Sequence, residues 1–331
     1  MSAADHSGAG RGRYAPSPTG RLHAGNARTA LLAWLAARIR RAPFVMRIED
    51  LDRSRVIPGA EAALLDDLFW LGLDWDEGPD RGGAFGPYRQ TERGALYDAA
   101  IERLLAMGRA FPCACSRAEI ARAASAPHAE DEEGPRYPGT CRAAPRREVE
   151  ARARDMGRPP AIRFDGRGEC IAFVDEVHGR IDPFGAAGID DFVLRRSDGV
   201  AAYQLAVVVD DAAMQIGQVV RGQDLLLSTP RQIALYQALG WTPPRFAHVP
   251  LLLTRSGDRM AKRTRPTEIA DLRARGCDPA AVVGQLAASA GLLESGVSCA
   301  PRDLLARFID RLPSGNFGLW VCLDRQPAIW D

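Results

Sequence analysis

Arg11-Gly12-Arg13-Tyr14-Ala15-Pro16-Ser17-Pro18-Thr19-Gly20-Arg21-Leu22-His23-Ala24-Gly25-Asn26 is the stretch on which the reading of the fold turns. Arg11–Ala15 can form a short strand, and Pro16–Gly20 is a Pro/Ser/Gly turn. From Leu22 to Arg40 apolar residues recur at helical spacing: Leu31, Leu32, Leu35, Ile39. Pro43 stops that pattern, and Phe44–Ile48 reads as a buried strand. Strand, turn, helix and strand make a βαβ start, which predicts an α/β fold with a parallel sheet. Ligands bind such a sheet at its carboxyl edge, where helix N-termini favour anions. Pro16–Asn26 falls at that edge. Gly25 lets a nucleotide approach the backbone. His23 can donate a hydrogen bond to a phosphate. An ordinary turn with a surface histidine has the same residues, so this segment alone leaves both readings open.

Two helices are expected next, near Gly59–Leu71 and Glu92–Met107. Residues 111–160 break the rhythm with three cysteines, several prolines and an acidic cluster at Glu130–Glu133. They read as an inserted module. Strand-like segments resume at Ala161–Phe164 and Ile171–Val174. Phe192–Leu194 and Tyr203–Val209 read as apolar strands, Val219–Arg221 as a short one, and Thr229–Leu239 as a helix. Another apolar strand is expected at Val249–Leu253. The remainder reads as helical, over Pro266–Gly291 and Pro301–Leu312. The expected organisation is a tail at 1–10, half a nucleotide-binding sheet at 11–110, an inserted module at 111–190, the second half-sheet at 191–255, and a basic loop with a helical remnant at 256–331.

Composition narrows the class. At ~100–200 residues per domain, 331 residues suggest two or three units. The 46% hydrophobic and 26% charged shares are those of a soluble globular protein. The net charge of +1 gives no global pull toward nucleic acid or membrane, so any polyanion contact needs a local basic patch. The N-terminus has no apolar leader core and no run approaches about 18 apolar residues. The seven cysteines therefore read as free or metal-bound in a reducing cytoplasm. Among 43 basic residues there is one lysine, Lys262. Codon bias explains the arginine excess. It also makes the surviving lysine informative, because a compact ammonium does what a planar guanidinium fork does not.

Lys262 lies in the basic loop Arg255-Ser256-Gly257-Asp258-Arg259-Met260-Ala261-Lys262-Arg263. Such a loop is usually just solvated. A second group, Cys113-x-Cys115 followed by Tyr137-x-x-x-Cys141, offers three thiolates and a phenol oxygen, a set able to hold zinc tetrahedrally. Free cysteines are the alternative, and His128 is a rival ligand. Zinc would staple a segment with no core of its own. Cys170, Cys277 and Cys299 show no comparable spacing.

Taken together, the motifs resemble those of class I aminoacyl-tRNA synthetases. His23-Ala24-Gly25-Asn26 is similar to the His-Ile-Gly-His signature. Arg259-Met260-Ala261-Lys262-Arg263 is similar to Lys-Met-Ser-Lys-Ser. Ala24, Asn26, Arg259, Ala261 and Arg263 depart from the pattern, while His23, Gly25 and Lys262 keep it. Arg13–Gly20, Arg47–Asp52, Leu71–Asp76, Tyr203–Ala206 and Arg221–Leu226 resemble the glutamyl-type family, in order, across residues 11–265. A parallel Rossmann-like sheet with an inserted zinc-bearing module and a C-terminal helical remnant is what the resemblance implies.

The site chemistry follows the same line. A glutamate substrate has two carboxylates and one ammonium. Arg13 and Arg221 can hold carboxylates with a guanidinium fork. Glu49 can pair with the ammonium, and Ser17 and Tyr203 can supply neutral hydrogen bonds. The resemblance implies these roles, with Tyr14, Ala15 and Pro16 around the amino acid. It also implies His23, Gly25, Asn26 and Lys262 at ATP and its magnesium, with Pro16, Gly20 and Arg259–Arg263 completing the signatures. Surface ion pairs and a core tyrosine are the bland alternatives. Residues 263–331 suffice for a stem-contact remnant but not for an anticodon-reading domain of ~100 residues or more. That architecture, with the cysteine pattern, resembles a short subfamily that activates L-glutamate without tRNA. It transfers the glutamate to the queuosine base in the anticodon of tRNA(Asp). One zinc per chain and a monomer are expected. A short enzyme charging the tRNA 3′ end, or a non-catalytic tRNA-binding paralogue, are the alternatives. The turn after the first strand lacks Gly-x-Gly-x-x-Gly spacing, which sets a dinucleotide oxidoreductase aside.

Overall fold

β1 (Gly12–Tyr14) runs parallel to β2 (Phe44–Met46), with α1 (Ala24–Ile39) as the crossover. This computed structural model describes residues 10–123, 136–253, 267–309 and 328–329. α1 is alanine- and leucine-rich, and most of its surface is buried. Small side chains let it lie against β1 and against β8 (Gln218–Gly222). Its far side packs on α9 (Pro279–Ala288) and α10 (Pro301–Ile309). Leu31, Leu32, Trp34 and Leu35 form the centre of that core.

The second half of the sheet is built from β8, α7 (Thr229–Ala238) and β9 (Arg245–Val249), with β8 and β9 parallel and in register from Gln218↔Arg245 to Gly222↔Val249. β5 (Phe173–Asp175) adds to the other side of β9 in parallel, and β6 (Gly179–Ile181) closes the edge antiparallel. The halves meet where Arg11 bridges Ile216 in parallel. There the Gly10 and Gly217 backbones are so close that a Cβ on Gly10 would lie 2.7 Å from Gly217 Cα, so neither position has room for a side chain. The spatial order is β2-β1-β8-β9-β5. Crossovers leave β1 and β8 in opposite directions along the sheet, which makes the gap between their carboxyl ends the switch point where α/β sheets bind ligands.

A separate antiparallel sheet is built from β3 (Ala110–Cys113), β4 (Ala161–Phe164) and β7 (Val193–Arg195). α4 (Arg117–Ala123) and α5 (Arg146–Asp155) accompany it. The expected insertion is therefore interleaved with the core: β5 and β6 lie within 111–190 yet extend the parallel sheet. α2 (Ala60–Trp70) and α3 (Gly94–Ala106) match the two early helices.

Three expectations need correction. Tyr203–Val209 is not a strand: α6 spans Tyr203–Ala213. Its three consecutive valines favour a strand locally, but Gln204–Asp211 is buried and folds as a helix, tertiary packing overriding β-propensity. The strand placed at Val249–Leu253 ends at Val249. Pro250 has no N–H to continue the ladder, and β10 (Leu252–Leu253) pairs instead with β11 (Ala328–Ile329). The helical stretch from Pro266 to Gly291 is broken into α8 (Ile269–Ala274) and α9. Gly276 turns the chain at φ 74°, and the Asp278 carboxylate caps α9 by accepting from Ala280 N–H at 3.2 Å.

Candidate active site

The switch point gathers polar and charged side chains from β1, β8, the segment after β2 and α6. Arg13 lies on β1 and Arg221 on β8, both buried. Arg47 and Glu49 follow β2. Tyr203 begins α6. The loop after β1 is stitched to the chain after β2. Arg47 N–H donates to Tyr14 O at 3.0 Å, Glu49 N–H to Pro16 O at 2.9 Å, and Ile57 N–H to Pro18 O at 3.0 Å. This fixes the run Tyr14, Ala15, Pro16 and Ser17 at the carboxyl end of β1, with Tyr14 and Pro16 buried and Ser17 exposed.

Arg47 is wholly shielded from solvent and clasps three carboxylates. Its Nη1 donates to Asp211 Oδ1 at 2.5 Å and its Nη2 to Glu49 Oε1 at 3.1 Å, and its Nε lies 3.7 Å from Asp210 Oδ2. Burial alone would lower the Arg47 pKa; Asp211, Asp210 and Glu49 more than offset that and raise it. Arg13 Nη1 donates to Val220 O at 3.2 Å, and its Nε sits 3.5 Å from Asp211 Oδ1. Burial pushes the Glu49 carboxyl up, against the pull of Arg47 and Arg13. Asp210 also receives Arg93 Nε at 2.6 Å and the Tyr97 hydroxyl at 3.0 Å. The sequence reading assigned no role to Arg47, Asp210 or Asp211. The one available signal was the Asp pair closing an otherwise apolar run.

Tyr203 is 36% exposed, yet the protein packed around it raises its phenol pKa. Arg221, Glu49, Arg13 and Asp211 all act on it electrostatically. Arg221 Nε donates to His248 Nε2 at 3.0 Å and Nη2 to Thr229 Oγ1 at 2.9 Å, while Nη1 is buried without a partner among the described residues. Arg13 Nε is buried without a hydrogen bond among the described residues but has the Asp211 carboxylate at 3.5 Å, which leaves Arg221 Nη1 as the unmet position. Unpaired buried guanidinium nitrogens are costly unless an anion meets them. Arg13, Glu49, Tyr203 and Arg221 thus form one electrostatic group, able to take a ligand with carboxylates and an ammonium.

His23 caps α1, with Nδ1 accepting from Asn26 N–H at 3.4 Å. Burial lowers its pKa, with Glu268 acting in the opposite direction. A Cβ on Gly25 would lie 3.3 Å from His23 Nδ1, so glycine keeps this turn open. Asn26 O accepts from the Tyr14 hydroxyl at 3.3 Å. A Cβ on Gly20 would meet nothing within 4 Å among the described residues, so this turn is open to close approach. Arg259, Met260, Ala261, Lys262 and Arg263 lie outside the described residues, as do His128 and most of the acidic stretch. The chain on either side of that basic segment meets the His23 turn. His23 bridges Glu268, Ala24 N–H donates to Thr267 O at 3.0 Å, and Leu252 Cβ is 3.8 Å from where a Gly25 Cβ would sit.

In the antiparallel unit the Sγ atoms of Cys113, Cys115 and Cys141 all lie within 4.8 Å of one another. The Tyr137 hydroxyl is 3.4 Å from Cys113 Sγ and 3.8 Å from Cys115 Sγ, and Cys115 Sγ is 3.5 Å from Cys141 Sγ. Tetrahedral zinc–sulfur bonds of roughly 2.3 Å put sulfurs roughly 3.8 Å apart, so the donor set has the right scale. Burial and the neighbouring thiols push Cys115 up to about 12 without a cation. The surrounding core is small: Ile120, Val149 and Ala153 with the ligand candidates themselves.

The fold and site define an α/β protein with a charged group at the switch point beside a histidine-capped helix start, an arrangement suited to an anionic ligand. A family model described as tRNA synthetases class I (E and Q), catalytic domain, matches residues 11–294, and the chain belongs to that family. It is an ATP-dependent ligase. The glutamyl-Q tRNA(Asp) synthetase of Symbiobacterium thermophilum is 53% identical over 91% of this chain and 93% of that protein. Glutamate--tRNA ligase 1 of Halorhodospira halophila is 46% identical over 83% of this chain and 57% of the ligase. The crystal structure of glutamate-tRNA synthetase from Elizabethkingia anophelis superposes with a TM-score of 0.79 at 28% identity, covering 97% of this chain and 68% of that one. Among the described residues no helix is long and apolar enough to cross a membrane.

Proposed function

We propose that the chain activates L-glutamate with ATP, without tRNA, and transfers it to the queuosine base in the anticodon of tRNA(Asp). The observation that carries this reading is the 53% identity spanning nearly the whole of a glutamyl-Q tRNA(Asp) synthetase. The cleft chemistry agrees with it. Arg13 and Arg221 meet the two carboxylates, Glu49 the ammonium, and Ser17 and Tyr203 the neutral edges, with Tyr14, Ala15 and Pro16 as the rim.

The substrate α-carboxylate attacks the α-phosphorus of ATP in line. A new O–P bond forms, the bond to the β-phosphate bridge breaks, and pyrophosphate leaves; magnesium, where bound to ATP, would offset the phosphate charge. A queuosine hydroxyl oxygen then bonds to the acyl carbon, the bond from that carbon to the phosphate oxygen breaks, and AMP departs with its phosphate taking up the hydroxyl proton. His23 and Lys262 stabilise charge developing on phosphate oxygens, and the α1 N-terminus with Gly25 and Asn26 supports the nucleotide. Burial keeps His23 neutral near pH 7, so it acts as a hydrogen-bond donor rather than a point charge. In this reading Cys113, Cys115, Tyr137 and Cys141 hold one zinc, which organises the antiparallel unit. A monomer in the cytoplasm is the working unit.

Labelled glutamate offered with ATP to queuosine-containing tRNA(Asp) tests the proposal. The label is expected to survive removal of the 3′-terminal adenosine and to vanish with tRNA that lacks queuosine. Label confined to the 3′ end would sink it.

A further inference from the structure

We propose that Asp175 and His248 are a positioning pair that sets the Arg221 guanidinium for the carboxylate of the amino-acid substrate. This inference rests on the glutamate-binding reading of Arg221. It assigns a role to two buried polar residues that contact no expected substrate atom.

Three neighbouring strands supply the chain of contacts: Asp175 ends β5, His248 lies on β9, and Arg221 on β8. Arg221 and His248 are direct partners in the β8–β9 register. Asp175 Oδ2 lies 2.7 Å from His248 Nδ1, and the same carboxylate accepts from His248 N–H at 3.1 Å. Asp175 Oδ1 is held in turn by Val177 N–H at 2.9 Å and His178 N–H at 3.0 Å. All three side chains of the chain are buried.

The pattern fixes the imidazole tautomer. A carboxylate at Nδ1 requires Nδ1–H to donate. Nε2 is then a lone pair, and the Arg221 Nε–H donates to it at 3.0 Å. The opposite tautomer would set N–H against N–H. Thr229 Oγ1 sits 3.2 Å from the same Nε2 and accepts from Arg221 Nη2, so two of the three guanidinium nitrogens are anchored on the protein. The Phe246 ring lies under the guanidinium, 5.6 Å from its carbon, and stacks on His248 at 6.2 Å. What remains is Nη1, buried and unpartnered among the described residues. The clamp therefore presents one edge of Arg221 and no other.

An imidazole suits this task better than a carboxylate would. A carboxylate against Arg221 would neutralise the cation. Neutral His248 accepts a hydrogen bond and leaves the positive charge available to the substrate, while Asp175 is kept one ring away. The charged groups facing His248 are Asp175, Arg221 and His178, and burial holds its pKa low, at about 4.

Glutamate-dependent pyrophosphate exchange tests the pair. His248→Leu removes the acceptor and is expected to raise the glutamate KM about 10–100-fold, the scale seen when an orienting partner is lost, with the ATP KM unmoved. His248→Gln, whose Oε1 can accept from Arg221, should recover much of that loss. Asp175→Asn frees the ring to adopt the wrong tautomer and should also raise the glutamate KM. Glutamate and ATP KM values that stay within about twofold of the parent, or rise together, overturn the proposal. Nitrogen-15 NMR of His248 in the parent protein decides it without any variant: Nδ1–H is expected from about pH 6 to 8, and an Nε2–H ring overturns it. A parent that exchanges pyrophosphate with no dependence on glutamate would sink the glutamate reading instead, and the NMR result would stand apart from that failure.

Discussion

Arg47 Nη1 and Asp211 Oδ1 lie 2.5 Å apart, buried, between residues 164 positions apart in the chain. The contact joins the segment after β2 to the end of α6, and so ties the two half-sheets under the cleft. Arg47 also orients Glu49, and Asp211 faces Arg13. One clasp therefore serves both folding and the site. Asp211→Ala would leave Arg47 buried with one fewer counter-charge. It is expected to cost about 3–5 kcal/mol of stability, the usual loss when one member of a buried ion pair is removed. Urea denaturation measures this, and a midpoint equal to the parent's would contradict it.

Glu49→Gln keeps the volume and removes the charge proposed to meet the substrate ammonium. A hydrogen bond to a charged group contributes ~1.5–3 kcal/mol, so the glutamate KM should rise on the order of tenfold to a hundredfold. The ATP KM should hardly move. Burial pushes Glu49 up, so it takes up its proton at a higher pH than an exposed glutamate does. Glutamate affinity should fall as pH drops toward that raised value, and the Gln variant should lose this acid limb. A Gln variant whose glutamate affinity falls with pH in parallel with the parent's would count against the assignment.

His248 makes stability itself pH-dependent. Its folded pKa is lowered to about 4. The unfolded chain binds a proton on this ring below about pH 6.5. Between those values the unfolded state holds more protons than the folded state, so stability falls as pH drops through the window. The contribution is about 3 kcal/mol at most, and it is complete above about pH 6.5. Comparing urea midpoints of parent and His248→Gln at pH 7 and pH 5 isolates it; parallel losses in the two proteins would rule His248 out as the source.

Zinc is expected at about one equivalent per chain on the purified protein. Cys141→Ser should bind it far more weakly and loosen the unit around Tyr137, since the small apolar cluster there consists partly of the ligands themselves. Elemental analysis with chelator challenge is the check, and a serine variant that keeps its full zinc content would refute the site.

Lys262→Ala is expected to slow adenylate formation by roughly 10²–10³-fold, the range for removing one preorganised stabiliser of developing charge. Glutamate binding should change little. Single-turnover adenylation by the variant at the parent's rate would remove Lys262 from the chemistry.

The parallel start of the fold was legible in the chain itself, because Pro16–Gly20, the helical spacing to Ile39 and Pro43 are local signals that need no distant partner. The cysteine spacing also points to a set able to hold zinc, whereas the residues proposed for a dicarboxylic amino acid are singled out by the family resemblance, with their side-chain chemistry only agreeing with it. The helix at Tyr203–Ala213 emerged only on folding, since its run of valines favours a strand locally and tertiary packing decided otherwise. Folding likewise recruited β5 to the parallel sheet through the pairing of Asp175 with Phe246, which sets Asp175 beside His248 and His248 beside Arg221. It also brought Arg47 onto Asp211. Strand order and buried charge pairing are contacts between residues far apart in sequence. Their energies depend on which partner arrives, and no local pattern encodes that choice.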